Sequence, residues 1–407
     1  MQAPGWQWRE LVEVLRRHVD RDELVEMARE LVRIDTSNPP GNEADAARWV
    51  QERMRALGFQ EVQWVEPAPG RASVMGIFGR PGTGKTLLWN GHLDVVPPGE
   101  VSAWRYPPFG GVVDGGRLWG RGAADMKGGL AAILEAAAAL RRSGLSLEGS
   151  LVVQAAADEE VLGDLGTRHL VERGLARADA AICGEPTHLR PLVAARGLVW
   201  MQLTAHGRSC HASTPHLGVN AVVKMSRVVQ ALAGLELPGL HPLLGPPTLC
   251  VSTIAGGHKT NVVPDRCTIT VDRRLIPGET PEQAVSQVRE LLAVLSREDS
   301  ELKVELQVIQ TAEPSEIDAG EPIVRSALRA RQLLGLAHEA PGGMPGTTDA
   351  RWLIGRAGIP TLILGPGELE QAHTVNESVS LQELEQAALL YALVLCDFVG
   401  VEPAGLA

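Results

Sequence analysis

The stretch TLLWNGHLDVVP, residues 86–97, constrains the fold of this chain more than any other. An apolar run, Leu87-Leu88-Trp89, is cut off at Gly91 and followed at once by His92 and Asp94. In an extended strand a spacing of two puts both side chains on the same side. A strand that delivers an imidazole beside a carboxylate begins a metal site, and the remaining donors must come from elsewhere in the chain.

Those donors recur at equivalent places. The buried-strand run LVVQAAA, residues 151–157, delivers Asp158-Glu159-Glu160, and the short apolar strand 180–183 ends in Gly184-Glu185-Pro186. Asp125, in GRGAADMKGG, stands just ahead of a helix expected over 130–142, where helix amides favour a carboxylate whether it is a ligand or a plain cap. His373, in AHTVNE, follows a strand expected at 360–364. The C-terminal ends of strands are where open α/β sheets place their sites. Two imidazoles and four carboxylates suit Zn²⁺, with Mn²⁺ or Co²⁺ as alternatives. So many acids exceed the needs of one tetrahedral ion, whereas a carboxylate bridging two ions ~3.5 Å apart accounts for the surplus. Of the neighbours Glu159 and Glu160, successive side chains diverge, so one can ligate while the other acts as general base.

Helical spacing is read at 20–34, 44–57, 322–334 and 381–399, and β-like runs at 62–65 and 73–78. From residue 197 the pattern changes to alternation. Strands at 198–205, 249–254, 267–273 and 302–309, with helices at 219–235 and 281–295, give the order β-α-β-β-α-β of a ferredoxin-like sandwich inserted into the first domain. The expected fold is therefore α/β, with a mixed-sheet domain formed by residues 1–196 and 312–407 and an α+β insertion at 197–311.

A chain of 407 residues is long for one core, in keeping with two domains. Its formal charge of −11 argues against nucleic acid or an anionic membrane as partner. The five cysteines are scattered outside CxxC spacing, which indicates neither a disulfide framework nor a thiolate zinc site. The amino-terminal segment carries charges throughout and the longest apolar run, 387–396, is too short to span a bilayer. A soluble, cytoplasmic protein is expected.

One motif points elsewhere. GRPGTGKT, residues 79–86, fits the pattern of a phosphate-binding P-loop. Such a loop requires a helix after Lys85-Thr86, and Leu87-Leu88-Trp89 reads as a strand, so nucleotide binding is the remote alternative and a Gly/Pro-rich turn the favoured one.

GHLDVVP, GRGAADMKGG, DEE, GEP and AHTVNE stand in an order that resembles the metal-dependent amidohydrolases and peptidases that include acetylornithine deacetylase, succinyl-diaminopimelate desuccinylase, aminoacylase-1 and glutamate carboxypeptidase. The resemblance implies a dinuclear-zinc hydrolase domain with an inserted dimerisation and lid domain. It implies that Asp125 bridges two zinc ions, with His92 and Glu185 completing one sphere and Glu160 and His373 the other. Glu159 would be the general base, Asp94 would orient His92, and the Asp125–Met126 peptide would be cis. His211, in GRSCHASTPHLGVNA, matches the histidine that one subunit's inserted domain contributes to its partner's active site, implying a homodimer and an oxyanion role. Asn261, Arg274, Thr347 and Arg351 match substrate-side positions, and strand alternation would place Arg273 opposite Arg274. Glutamate at position 185 is linked by the resemblance to deacylases and desuccinylases. The expected substrate is an N-acyl amino acid, with a dipeptidase or carboxypeptidase of the same family as alternative. A catalytically silent metal-binding scaffold is a third reading, against which Glu159 stands.

Overall fold

Strand Thr86–His92 explains the layering of the first part of the molecule. Leu87 and Trp89 face one apolar cluster and Leu88 the opposite one, so both faces are covered and the run is continuously apolar. This computed structural model describes residues 8–402. Residues 1–7 of the charged amino-terminal segment lie outside the described residues, and the segment after them forms helix Trp8–His18.

The chain forms two compact units: one runs up to Val193, with Ile317–Gly342 and the residues from Thr348 onward, and the second comprises Ala194–Glu316 and Gly343–Thr347. In the first, the sheet order is Gln60–Ala68, Arg71–Gly79, Ser150–Ala156, Thr86–His92, Ala180–Cys183, Thr361–Ile363. Thr86–His92 is parallel to both Ser150–Ala156 and Ala180–Cys183, so the carboxyl ends of three adjacent strands point the same way. Helices Arg21–Arg33, Gly128–Ser143 and Leu381–Val399 pack in the larger core, and the other face is covered around Leu353 and Ile359. Among the described residues no helix is long and apolar enough to cross a membrane.

The P-loop alternative is corrected here. Thr86 opens a strand, not a helix, and the segment before it is a turn. No helix amides are presented to a phosphate at Lys85-Thr86, and the Lys85 ammonium instead lies 4.9 Å over the Phe398 ring.

The second unit has the antiparallel order Thr248–Gly256, Arg266–Leu275, Gly197–His206, Lys303–Ala312, with helices Ala221–Ala233 and Pro281–Glu298 on one face. Asn220 caps the first helix by accepting the amides of Val222 and Val223, and Thr280 with Gln283 forms a capping box on the second.

The Gly/Pro/Trp-rich stretch after Pro97 carries strands Val112–Asp114 and Arg117–Trp119, and Arg117–Trp119 pairs with Ser378–Ser380. Three-residue strands are too short to leave a periodic signature.

Candidate metal centre

All the first-unit candidates except Arg351 converge at the carboxyl ends of the three parallel strands. His92 ends its own strand. Its Nδ1 donates to the backbone carbonyl of Asp94 at 2.8 Å, which leaves Nε2 directed at Asp125 Oδ1, 2.9 Å away, with Glu185 Oε2 at 3.9 Å. The Asp94 carboxylate is 3.8 Å from that imidazole, so the bond that orients His92 comes from the Asp94 main chain. Its oxygens instead accept the amides of Glu159 and Glu160, each at 3.0 Å.

Asp125 caps no helix. Its peptide bond to Met126 is cis, and its backbone leaves helical geometry before helix Gly128–Ser143 begins. Its second oxygen lies 3.3 Å from His373 Nε2, which in turn is 3.0 Å from Glu160 Oε2. One carboxylate thus stands between two imidazoles, each backed by another acid. His92, Asp125 and Glu160 offer donor atoms within 4.8 Å of one another, as do His92, Glu159 and Glu185. Trp89 lies beneath the site, against Gly91 and Gly184, where a Cβ at either glycine would overlap its ring.

Burial is the largest influence on all four acids. It pushes Glu159 well above the usual carboxylate range, helped by repulsion from Glu185, and pushes Glu185 up with help from Asp125. Glu160 is raised by burial and by Asp125. At Asp125 burial is outweighed by the hydrogen bonds from His373 and His92, which hold it below its ordinary value. Burial opposes a charged ring at His92, yet Asp125, Glu185 and Glu159 hold its pKa well above the ordinary value. Hydrogen bonds to Asp125 and Glu160 push His373 up to about 10. Four crowded acids around two imidazoles form a donor set that fits divalent cations, which relieve that repulsion.

A pH dependence follows. His373 titrates at about 10 instead of 6.5, so the metal-free protein carries its proton at neutral pH. The stabilisation this contributes is fully present below the unfolded value of 6.5 and is lost as pH rises through about 10. Zn²⁺ uptake at pH 7 is expected to release at least about one proton, since a ligating imidazole must be neutral. Calorimetry in buffers of different ionisation enthalpy checks this: heats independent of buffer would contradict it.

Several contributors carry no role in the motif reading. Glu377 accepts the amides of Ala124 at 2.9 Å and Asp125 at 3.1 Å and pairs with buried Arg121 at 2.5 Å. Burial and the neighbouring Asp125 push its carboxyl up to about 7. Asp349 is buried, and burial raises its carboxyl against the opposing pull of the Arg351 charge and a hydrogen bond from Thr167. Opposite charges 256 residues apart, as in Arg121–Glu377, leave no local trace in a sequence.

Arg351 is 4% exposed, and its two Nη groups donate to the carbonyls of Thr348 and Leu162, so the guanidinium is tied to main chain and is not presented to a ligand. In the second unit, Arg274 pairs with Asp272 at 2.8 Å while Arg273 is buried against Glu279 on the opposite face. Thr347 donates to the Arg196 carbonyl at 2.8 Å. His211 is exposed, and its loop is tied to that of Asn261 by the Ala212 amide, which donates to the Asn261 carbonyl at 3.1 Å.

Residues 88–397 match the model of peptidase family M20/M25/M40. The chain is 30% identical to N-formyl-4-amino-5-aminomethyl-2-methylpyrimidine deformylase of Bacillus subtilis (strain 168), over 93% of this chain and 94% of that protein. It is 32% identical to succinyl-diaminopimelate desuccinylase of Rhodospirillum centenum, over 93% and 98%. An M20 family metallo-carboxypeptidase from Sulfolobus solfataricus shares the fold at a TM-score of 0.80 and 19% identity, covering 93% of this chain and 98% of that one. With three quarters of its length matched and full-length relatives that are amide hydrolases, the chain belongs to peptidase family M20/M25/M40 and is a metal-dependent hydrolase of amide bonds.

Proposed function

We propose that this protein is a dinuclear metallohydrolase that cleaves the amide bond of an N-acyl amino acid, with Glu159 as general base. The observation that carries the reading is the position of Asp125, whose two oxygens face two different histidines. His92 and Glu185 would hold one ion, Glu160 and His373 the other, and Asp125 both; Zn²⁺ suits these donors, as do Co²⁺ and Mn²⁺. When bound, such ions polarise the scissile carbonyl and acidify a water.

The protein's own groups do the rest. Glu159, its amide fixed by Asp94, takes a proton from the attacking water as the new C–O bond forms. It returns that proton to the nitrogen as the C–N bond breaks. His211 Nδ1 accepts the Ser213 amide at 3.1 Å, so a neutral ring carries its proton on Nε2, on an exposed side chain. That is a donor fit for the oxyanion, the role we assign it. The second unit is assigned to dimerisation: its outer strand Thr248–Gly256 leaves Ile254 58% exposed, beside a helix with Val223 56% exposed. Arg274, Asn261 and Thr347 are retained as substrate contacts and Arg351 is withdrawn.

Glutamate at position 185 and relatives named for removing formyl and succinyl groups support acyl substrates over peptides. The test is a hydrolysis panel of N-formyl, N-acetyl and N-succinyl amino acids beside dipeptides, with metal-depleted and zinc-reloaded protein. Acyl compounds should turn over at least about tenfold faster in kcat/KM, the scale set by one well-placed contact. In the same panel His211→Ala should be slow with its zinc content unchanged, and mixing it with a Glu159 variant under subunit exchange should restore activity. Faster dipeptide cleavage would reverse the substrate assignment, and no restoration would remove the shared site.

A further inference from the structure

We infer that Arg71 is a positioning residue for Glu159 and Glu160, acting through Asp158; the inference rests on the function proposed above. The turn that presents the two glutamates begins at Asp158, whose φ of +68° is a left-handed conformation that a non-glycine residue keeps only when its surroundings hold it.

The surroundings do so at every residue of the turn. The amide of Ala157 donates to Ser73 Oγ at 3.0 Å, and the amides of Glu159 and Glu160 donate to Asp94. Asp158 accepts the Leu165 amide at 3.1 Å on one oxygen, and on the other both Asn38 Nδ2 at 3.2 Å and Arg71 Nη2 at 2.5 Å. The same Asn38 amide reaches Asp94 at 2.9 Å, so it links the two aspartates that fix the turn.

Arg71 is itself fixed. Its guanidinium forms a two-pronged pair with the fully buried Glu43, Nε and Nη2 each at 2.8 Å. The planar guanidinium holds Glu43 with two parallel donors, Nε and Nη2, while Nη2 also reaches Asp158; a lysine ammonium is a point charge that cannot reproduce the two-pronged pair. Arg71 and Ser73 are two apart on strand Arg71–Gly79 and project from the same face, so this strand forms the bed on which the turn is laid. Without Arg71, Glu43 and Asp158 are left as neighbouring buried acids and the left-handed turn loses its charged anchor. The carboxylates of Glu159 and Glu160 then drift, and displacement of a reacting group by ~1 Å lowers rates about 10²-fold.

The test uses full-length Arg71→Ala and Arg71→Lys. The readouts are kcat and KM on the fastest substrate of the panel, zinc affinity, melting temperature, and hydrogen exchange of segment 157–165. Assayed with zinc at saturation, Arg71→Ala should lower kcat about 10- to 10²-fold with KM within about threefold, and it should bind zinc about 10- to 100-fold more weakly because the turn it anchors carries the ligand Glu160. Exchange should quicken in 157–165, and millimolar guanidinium should recover part of kcat; Arg71→Lys should be intermediate. Wild-type kcat and exchange in Arg71→Ala would overturn the inference. So would a loss that tracks melting temperature and is untouched by guanidinium, since that is a purely structural role. If Arg71→Ala does not fold, Arg71→Lys decides: it keeps a positive charge beside Glu43 but loses the two-pronged pair, and should show a fall in kcat with faster exchange, wild-type values there overturning the inference. Glu159→Gln, run in parallel, separates the two levels. Activity in that variant sinks the functional reading, whereas its inactivity beside a wild-type-like Arg71→Ala sinks only the role of Arg71.

Discussion

Glu159→Gln is expected to keep two zinc ions per chain and to lose about 10²- to 10⁴-fold in kcat, the scale of general base catalysis. The amide side chain has nearly the same shape, so the turn held by Asp94 through the amide of residue 159 should be undisturbed. The metal-free variant should be at least as stable as the wild type at neutral pH. The sign follows from burial, which raises the folded pKa of Glu159 above its unfolded value. A raised carboxyl contributes stability below the unfolded pKa and loses it as pH rises through the folded one, so removing it relieves the fold above that window. Metal analysis, kinetics and melting of the metal-free form check all three parts. Because Glu159 also lies within reach of His92 and Glu185, one result is decisive: a fall in zinc content with activity would make Glu159 a ligand and remove it as base.

Asp125→Ala should have the other large effect, on metal rather than on proton transfer. It removes the partner of His92 Nε2 and of His373 Nε2 together, leaving no group shared between the two halves of the site. Loss of a residue that merely supports a ligand lowers metal affinity about 10- to 100-fold. Loss of a carboxylate shared by two ions should exceed that, so zinc should fall below one per chain after dialysis and activity with it. Retention of two tightly held ions would mean that Asp125 bridges nothing.

Much of this site is visible in the sequence because its donors obey a local rule. His92, Glu160 and Glu185 each follow directly on an apolar run short enough to be a strand, and parallel strands bring their carboxyl ends together. What is not visible is what holds the donors. The orienting contact to His92 is a main-chain carbonyl, which no residue type announces, while the Asp94 side chain acts on the neighbouring turn instead. Arg71 stands 87 positions before Asp158 and lies outside every motif of the site, so their contact has no signature in the sequence. Arg351 shows the opposite failure. The resemblance places it on the substrate side, yet its fork donates to the main-chain carbonyls of Thr348 and Leu162. GRPGTGKT shows a third: the same eight letters serve as a turn once a strand follows them.

Helix Leu381–Val399 packs along Gly128–Ser143 with most of its length buried. Leu384, Leu390, Leu393 and Leu395 on it are fully enclosed. His373 lies a few residues before this helix, more than two hundred positions after Asp125. During synthesis, then, the amino-terminal strands emerge with their acids long before the histidine and the apolar helix that close over them. Until helix Leu381–Val399 is made, the apolar face of Gly128–Ser143 that it covers lacks that partner, so this layer of the core closes late.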